Sequence, residues 1–138
     1  MESVRTHINK EMIAYKKMLG EAESMLFKDG NPQSAEACLD ILRLDFGLPP
    51  YWEFRKKVLQ AAIHIARLDY RLGEKTLVEA IHGWSEARND NSNMRVQEHH
   101  KVGVEALEQT ANRYLAIARS RTSAGRVVGP YLNTYTYT

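Results

Sequence analysis

The sequence predicts an all-α fold, a five-helix bundle with two long helices and an extended C-terminal arm. Three observations predict it. Apolar residues recur at spacings of three and four along most of the first 120 residues. Gly, Pro and Asn clusters cut that pattern into five segments. Only the last residues, from Ser123 to Thr138, abandon the helical period for Gly/Pro punctuation and a Tyr/Thr alternation. A chain of 138 residues suits one domain. At that size it can bury roughly 70% of the surface its extended form exposes, so it needs no staples.

The first predicted helix runs from about Ser3 to Phe27. Val4, Ile8, Met12, Tyr15, Leu19, Ala22 and Leu26 place a continuous apolar stripe on one side of it. Asp29-Gly30 closes it, because glycine accepts the left-handed conformation of a helix exit. Asn31-Pro32 starts the second helix, with Asn as N-cap and Pro at the first helical position, where its missing N–H costs nothing. That helix carries Ala35, Cys38, Leu39, Leu42 and Phe46 and is expected to stop at Gly47. Leu48-Pro49-Pro50 reads as a stiff extended joint.

The third helix is expected from Tyr51 to Leu72, with Trp52, Leu59, Ile63, Ala66 and Tyr70 on its stripe and Val58, Ala62 and Ile65 widening it. Gly73 is read as its break. The fourth follows from Glu74 to Arg88, with Leu77, Ile81 and Trp84 facing inward. Asn89-Asp90-Asn91-Ser92-Asn93 is a turn. The fifth, from Met94 to Arg121, carries Val96, His100, Gly103, Leu107, Thr110, Tyr114 and Ile117, flanked by Val104, Ala111, Leu115 and Ala118. A helical domain over residues 1–122 and an arm over residues 123–138 complete the expected organisation.

The chemistry of sites is sparse. Cys38 is the single cysteine, which excludes an internal disulfide; within a helical stretch it reads as a small core residue. His99 and His100 point about 100° apart on a helix and cannot share a metal, and no His-Glu-x-x-His motif exists. His64 and His82 read as half-buried, hydrogen-bonded side chains. Glu105 and Glu108 share a helix face but have no facing partner pair, so they read as solvated. No phosphate-binding Gly loop or nucleophile elbow occurs. The expectation is a non-enzyme with neither metal nor cofactor.

Charge is unevenly distributed. Four of the 19 basic residues and none of the 17 acidic ones lie in residues 109–138, leaving a net −2 upstream. No apolar h-region opens the chain and no run approaches a membrane span. The expected location is therefore the cytoplasm or a virion, without membrane contact and without export by a signal peptide. In a strand-like arm, Tyr131, Asn133, Tyr135 and Tyr137 line one face and Leu132 and the threonines the other. A lone strand cannot stand by itself in water and must borrow partners.

The predicted partner-binding set is Arg119, Arg121, Arg126, Val127, Val128, Tyr131, Leu132, Tyr135 and Tyr137. Lys56, Lys57, Arg67 and Arg113 are candidate phosphate contacts. The outline of a small helical bundle with an extended arm resembles virion assembly and head–tail adaptor proteins in general shape, without a shared motif. It implies a structural subunit of a homo-oligomer or larger complex. The alternative is a small subunit of a nucleoprotein complex that follows a nucleic-acid backbone without reading sequence.

Overall fold

The computed structural model describes residues 2–42, 48–89 and 101–126. Five helices and no strand occur among them: α1 (Glu2–Phe27), α2 (Pro32–Ile41), α3 (Pro50–Ala66), α4 (Tyr70–Asn89) and α5 (Lys101–Arg126).

In α1, the lower part of the predicted stripe is the buried face: Tyr15, Leu19, Ala22 and Leu26 are covered. The side chains of Val4 and Ile8 lie outside the described residues. Gly30 at φ 65° ends the helix as its composition requires. Asn31 then caps α2, its side-chain oxygen accepting from the Ser34 N–H at 3.0 Å, with Pro32 at the first position.

The second helix is shorter than expected. Leu42 already has ψ 110° and donates its N–H to the Leu39 carbonyl, so the helix closes after Ile41 rather than at Gly47. Leu39 and Leu42 both pack on the same core, which the turn at Leu42 allows. Phe46 and Gly47 lie outside the described residues. Pro49 takes φ −56° and ψ 151°, the stiff extended joint, and Pro50 opens α3.

The largest correction concerns Gly73. It does not break a helix but lies buried within α4, facing Ile65 of α3. A methyl group at Gly73 would meet Ile65 Cγ1 at 2.6 Å and the Ala61 carbonyl oxygen at 3.4 Å. The glycine therefore lets two backbones approach. The break falls earlier, at Arg67-Leu68-Asp69. There the Leu68 N–H reaches the Ile65 carbonyl at 2.9 Å and the Asp69 N–H reaches that of His64 at 2.8 Å. These two bonds form a Schellman closure, whose left-handed residue is usually glycine. Here it is Leu68, at φ 69° and 71% exposed. A side chain in that conformation costs about 1–2 kcal/mol. Asp69 then accepts the Leu72 N–H at 3.3 Å and starts α4.

Helix α3 is the centre of the molecule. Tyr51, Phe54, Val58, Ala61 and Ile65 pack with Leu77, Ala80 and Trp84 of α4 and with Val104, Ala111 and Ala118 of α5. Leu59, Ala62 and Ile63, on an adjacent face, pack with α1 and α2. Phe54 and Trp84 stack with centroids 5.3 Å apart and planes 1° off parallel. Trp52 is only half-buried and Ala66 is exposed, so the true stripe is rotated from the predicted one. The same holds in α5. The residues expected on its flank, Val104, Ala111 and Ala118, are buried, whereas Ile117 is 40% exposed and Gly103 is exposed. Small residues there let α5 lie close to α3 and α4. Val96, His99, His100 and the turn beyond Asn89 lie outside the described residues. Helix α5 continues through Gly125 to Arg126, so the first residues assigned to the arm are helical. Residues 127–138 lie outside the described residues.

Gly73→Ala should cost about 1–3 kcal/mol, because Ile65 is buried and must be displaced. Gly20→Ala meets nothing within 4 Å and should add about 0.5–1 kcal/mol. Chemical denaturation of the two variants checks the opposite signs. Burial first, and the Glu53 carboxylate second, push the Tyr15 phenol up from 10.0 to about 12. The folded state thus keeps a proton that the unfolded state loses. Tyr15's share of stability is complete below pH 10 and disappears as pH rises toward 12. Tyr15→Phe should flatten that alkaline decline in urea melts taken across the same range.

Candidate interaction surface

Charged side chains line the seams between helices. Arg55 on α3 grips Glu23 on α1 with two hydrogen bonds, Nε to Oε2 at 2.9 Å and Nη2 to Oε1. That hydrogen bond is the main reason the Arg55 guanidinium is raised above its already high ordinary value. The guanidinium also lies 4.6 Å from the Trp52 ring centroid, and Lys16 Nζ lies 4.9 Å from it. Cation–π contact therefore accounts for the half-exposed tryptophan.

On the opposite side, Glu108 of α5 is an acceptor that its sequence context does not reveal. It receives Trp84 Nε1 at 3.0 Å and the Arg88 guanidinium. Trp84 and Arg88 are four apart on α4 and share a face, which was visible in the sequence. The cross-helix acceptor was not, because it depends on the register of α4 against α5. Glu108 is thus engaged rather than simply solvated.

The candidate phosphate contacts are dispersed. Lys56 and Lys57 lie 3.3 and 4.0 Å from Glu53 on their own helix. Arg67, about 18 Å along the axis from Arg55 at 1.5 Å per residue, pairs with Glu36 of α2 at 2.8 Å. Arg113 is exposed and has no ion-pair partner among the described residues. It borders a groove of about 490 Å³ between α1, α3 and α5, with Arg55, Tyr51 and Tyr114. Of the four, Lys56 and Lys57 share Glu53, while Arg67 and Arg113 stand apart; Arg113 neighbours Arg55, which Glu23 already neutralises.

Of the predicted partner-binding residues, Arg119 lies 3.4 Å from Glu74, and Arg121 sits 5.9 Å from the Tyr70 ring centroid. Both contacts hold the C-terminal part of α5 beside the start of α4. Arg126 is the last residue of α5. Val127, Val128, Tyr131, Leu132, Tyr135 and Tyr137 lie outside the described residues.

The remaining chemical candidates are spoken for. Cys38 is buried, its Sγ donates to the Met18 carbonyl at 3.5 Å, and burial raises its thiol pKa, with Glu21 adding to the effect. It is a packed thiol, not an activated one. His82 departs from expectation, being 74% exposed and 3.1 Å from Glu86. His64 is half-buried. Among the described residues no three His, Cys, Asp or Glu side chains converge to hold a metal ion, and no helix is long and apolar enough to cross a membrane. A second groove, of about 660 Å³, opens beside Trp84, Arg88, Glu108 and Asn112.

Comparison with protein-family models, with curated proteins and with solved structures gives no match for this chain.

The Trp84–Glu108 contact yields a direct test. Glu108→Ala leaves a buried indole N–H without its acceptor and should cost about 1–3 kcal/mol. Glu108→Gln keeps an acceptor and should cost clearly less. Denaturation midpoints separate the two.

Proposed function

We propose that this chain is a non-enzymatic assembly subunit of a homo-oligomer or larger complex, in which the helical bundle forms the body and the C-terminal arm docks on a neighbour. A virus particle is one natural home for such a subunit. The observation that carries the reading is how the surface is spent. Basic side chains suited to phosphate are taken up by carboxylates of the same chain, at Arg55–Glu23, Arg67–Glu36, Arg88–Glu108 and Arg119–Glu74. Large apolar side chains meanwhile stay in water: Ile13 is 68% exposed, Ile41 69% and Leu68 71%. Surface ion pairs are individually weak, but four cross-helix pairs lower the charge available to a phosphate backbone. Where exposed apolar side chains join in one patch they favour a protein partner.

Removing residues 127–138 should leave helical circular dichroism and melting temperature nearly unchanged while reducing native mass. Unfolding of the bundle on truncation would instead make the arm an internal core element. The nucleoprotein alternative has its own signature. Affinity for duplex DNA should fall with salt at a log–log slope near −0.9 per phosphate neutralised, and Arg119→Ala with Arg121→Ala should weaken all sequences alike. No binding at low salt eliminates that alternative.

A further inference from the structure

Two helix exits in this chain solve the same problem differently. At the end of α1 the left-handed residue is Gly30. At the end of α3 it is Leu68, which is strained by its φ of 69° and yet 71% exposed. Leu68 is largely exposed, so burial of its own side chain sets little against that strain. One turn on, Leu72 is a second exposed leucine, at 40%. The elbow thus presents two leucines to solvent on a rigid mount, fixed by the Schellman closure behind it and by the Asp69 cap ahead.

The root of the arm lies at the same end of the bundle. Arg119 pairs with Glu74 and Arg121 reaches Tyr70, so the last turns of α5 run beside the first turns of α4. Twelve residues follow Arg126, beginning with Val127-Val128 and containing Tyr131-Leu132. Fully extended, they span about 40 Å at 3.3 Å per residue, enough to cross to a neighbouring molecule.

We propose that the Leu68–Leu72 elbow is the receptor for the arm of a second copy of this chain, and that two copies exchange arms reciprocally. This rests on the assembly reading above and names its surface. Because the root of the arm and the receptor lie at the same end of the molecule, the exchange is self-complementary. It closes at a dimer instead of propagating a filament.

The test uses full-length chains and sedimentation equilibrium across a concentration series. The parent chain should approach twice 15.8 kDa. Leu68→Asn places a residue that tolerates the left-handed region where leucine is strained. It should raise the melting temperature of the monomer by about 2–4 °C and weaken dimerisation at least tenfold. Leu72→Ser should weaken dimerisation without that rise. A chain carrying Leu68→Asn and Leu72→Ser, mixed with one carrying Tyr131→Ser and Leu132→Ser, should form a mixed dimer although neither dimerises well alone. One has an intact arm and the other an intact elbow.

Undiminished dimerisation of the double elbow variant overturns the proposal, as does a lowered melting temperature for Leu68→Asn at concentrations where both it and the parent chain are monomers. If the arm variant dissociates while the elbow variants do not, the assembly reading stands and this receptor assignment falls. A parent chain that is monomeric throughout overturns both.

Discussion

Helix α3 must be covered on two faces at once, and the rest of the structure follows from that demand. Tyr51, Phe54, Val58, Ala61 and Ile65 repeat at three and four residues and face α4 and α5. Leu59, Ala62 and Ile63 lie on the adjacent face and belong to the α1–α2 core. A helix apolar over so wide an arc is stable only between two layers. Burying side chains such as Leu59 and Val58 contributes about 1.5–3 kcal/mol each. The α1–α2 layer and the α4–α5 layer meet chiefly through α3, with Trp52 and Tyr114 touching both cores. Phe27 and Tyr114, with centroids 5.9 Å apart, supply a direct link between α1 and α5. Two small cores that share one helix are coupled: loosening α3 exposes both.

Local signals were legible in the sequence where the physics is local. Asn31-Pro32 started a helix, Gly30 ended one, and Tyr15, Leu19, Ala22 and Leu26 were a buried face, because capping and periodicity act within a few residues. Reading failed where packing decided the outcome. Gly73 looks like a breaker in isolation, yet its lack of a side chain serves the approach of α3 to α4. In α5 the large residues Leu107 and Tyr114 suggested the buried face. The close approach of two neighbouring helices selected the smaller Val104, Ala111 and Ala118 instead. The elbow at Leu68 was hidden because leucine carries no turn signal, although Asp69, an ordinary N-cap residue, stood beside it.

The charged surface was legible only as composition. Counting arginines placed them correctly on helices but could not show that Arg55 finds Glu23, Arg67 finds Glu36 and Arg119 finds Glu74. Each pair joins different helices, so its existence depends on tertiary register, for which spacing along one helix holds no information. The pairing also changes what the basic residues are for. A guanidinium held by a carboxylate must be released before it can meet a phosphate. Exchange of one anion for another then gains less than the capture of an anion by a free cation. Among the candidate phosphate contacts Arg113 is not so held, and it borders a groove whose other guanidinium is already engaged.

The placement of the elbow gives this division of labour a mechanical sense. Leu68 closes α3, the one helix common to both cores, and its exposed side chain projects from a turn fixed by backbone hydrogen bonds on either side. A partner seated there contacts the end of the shared helix without entering either core. Whatever binds only the folded form stabilises that form by mass action, and a site at the end of α3 passes that stabilisation to both layers together. The backbone strain at Leu68 is the same with or without a partner, so it lowers the stability of both forms and cancels from any association. Burial of the exposed leucine side chain is the gain that a partner at this turn would supply, at about 25 cal/mol per Å² of apolar surface covered.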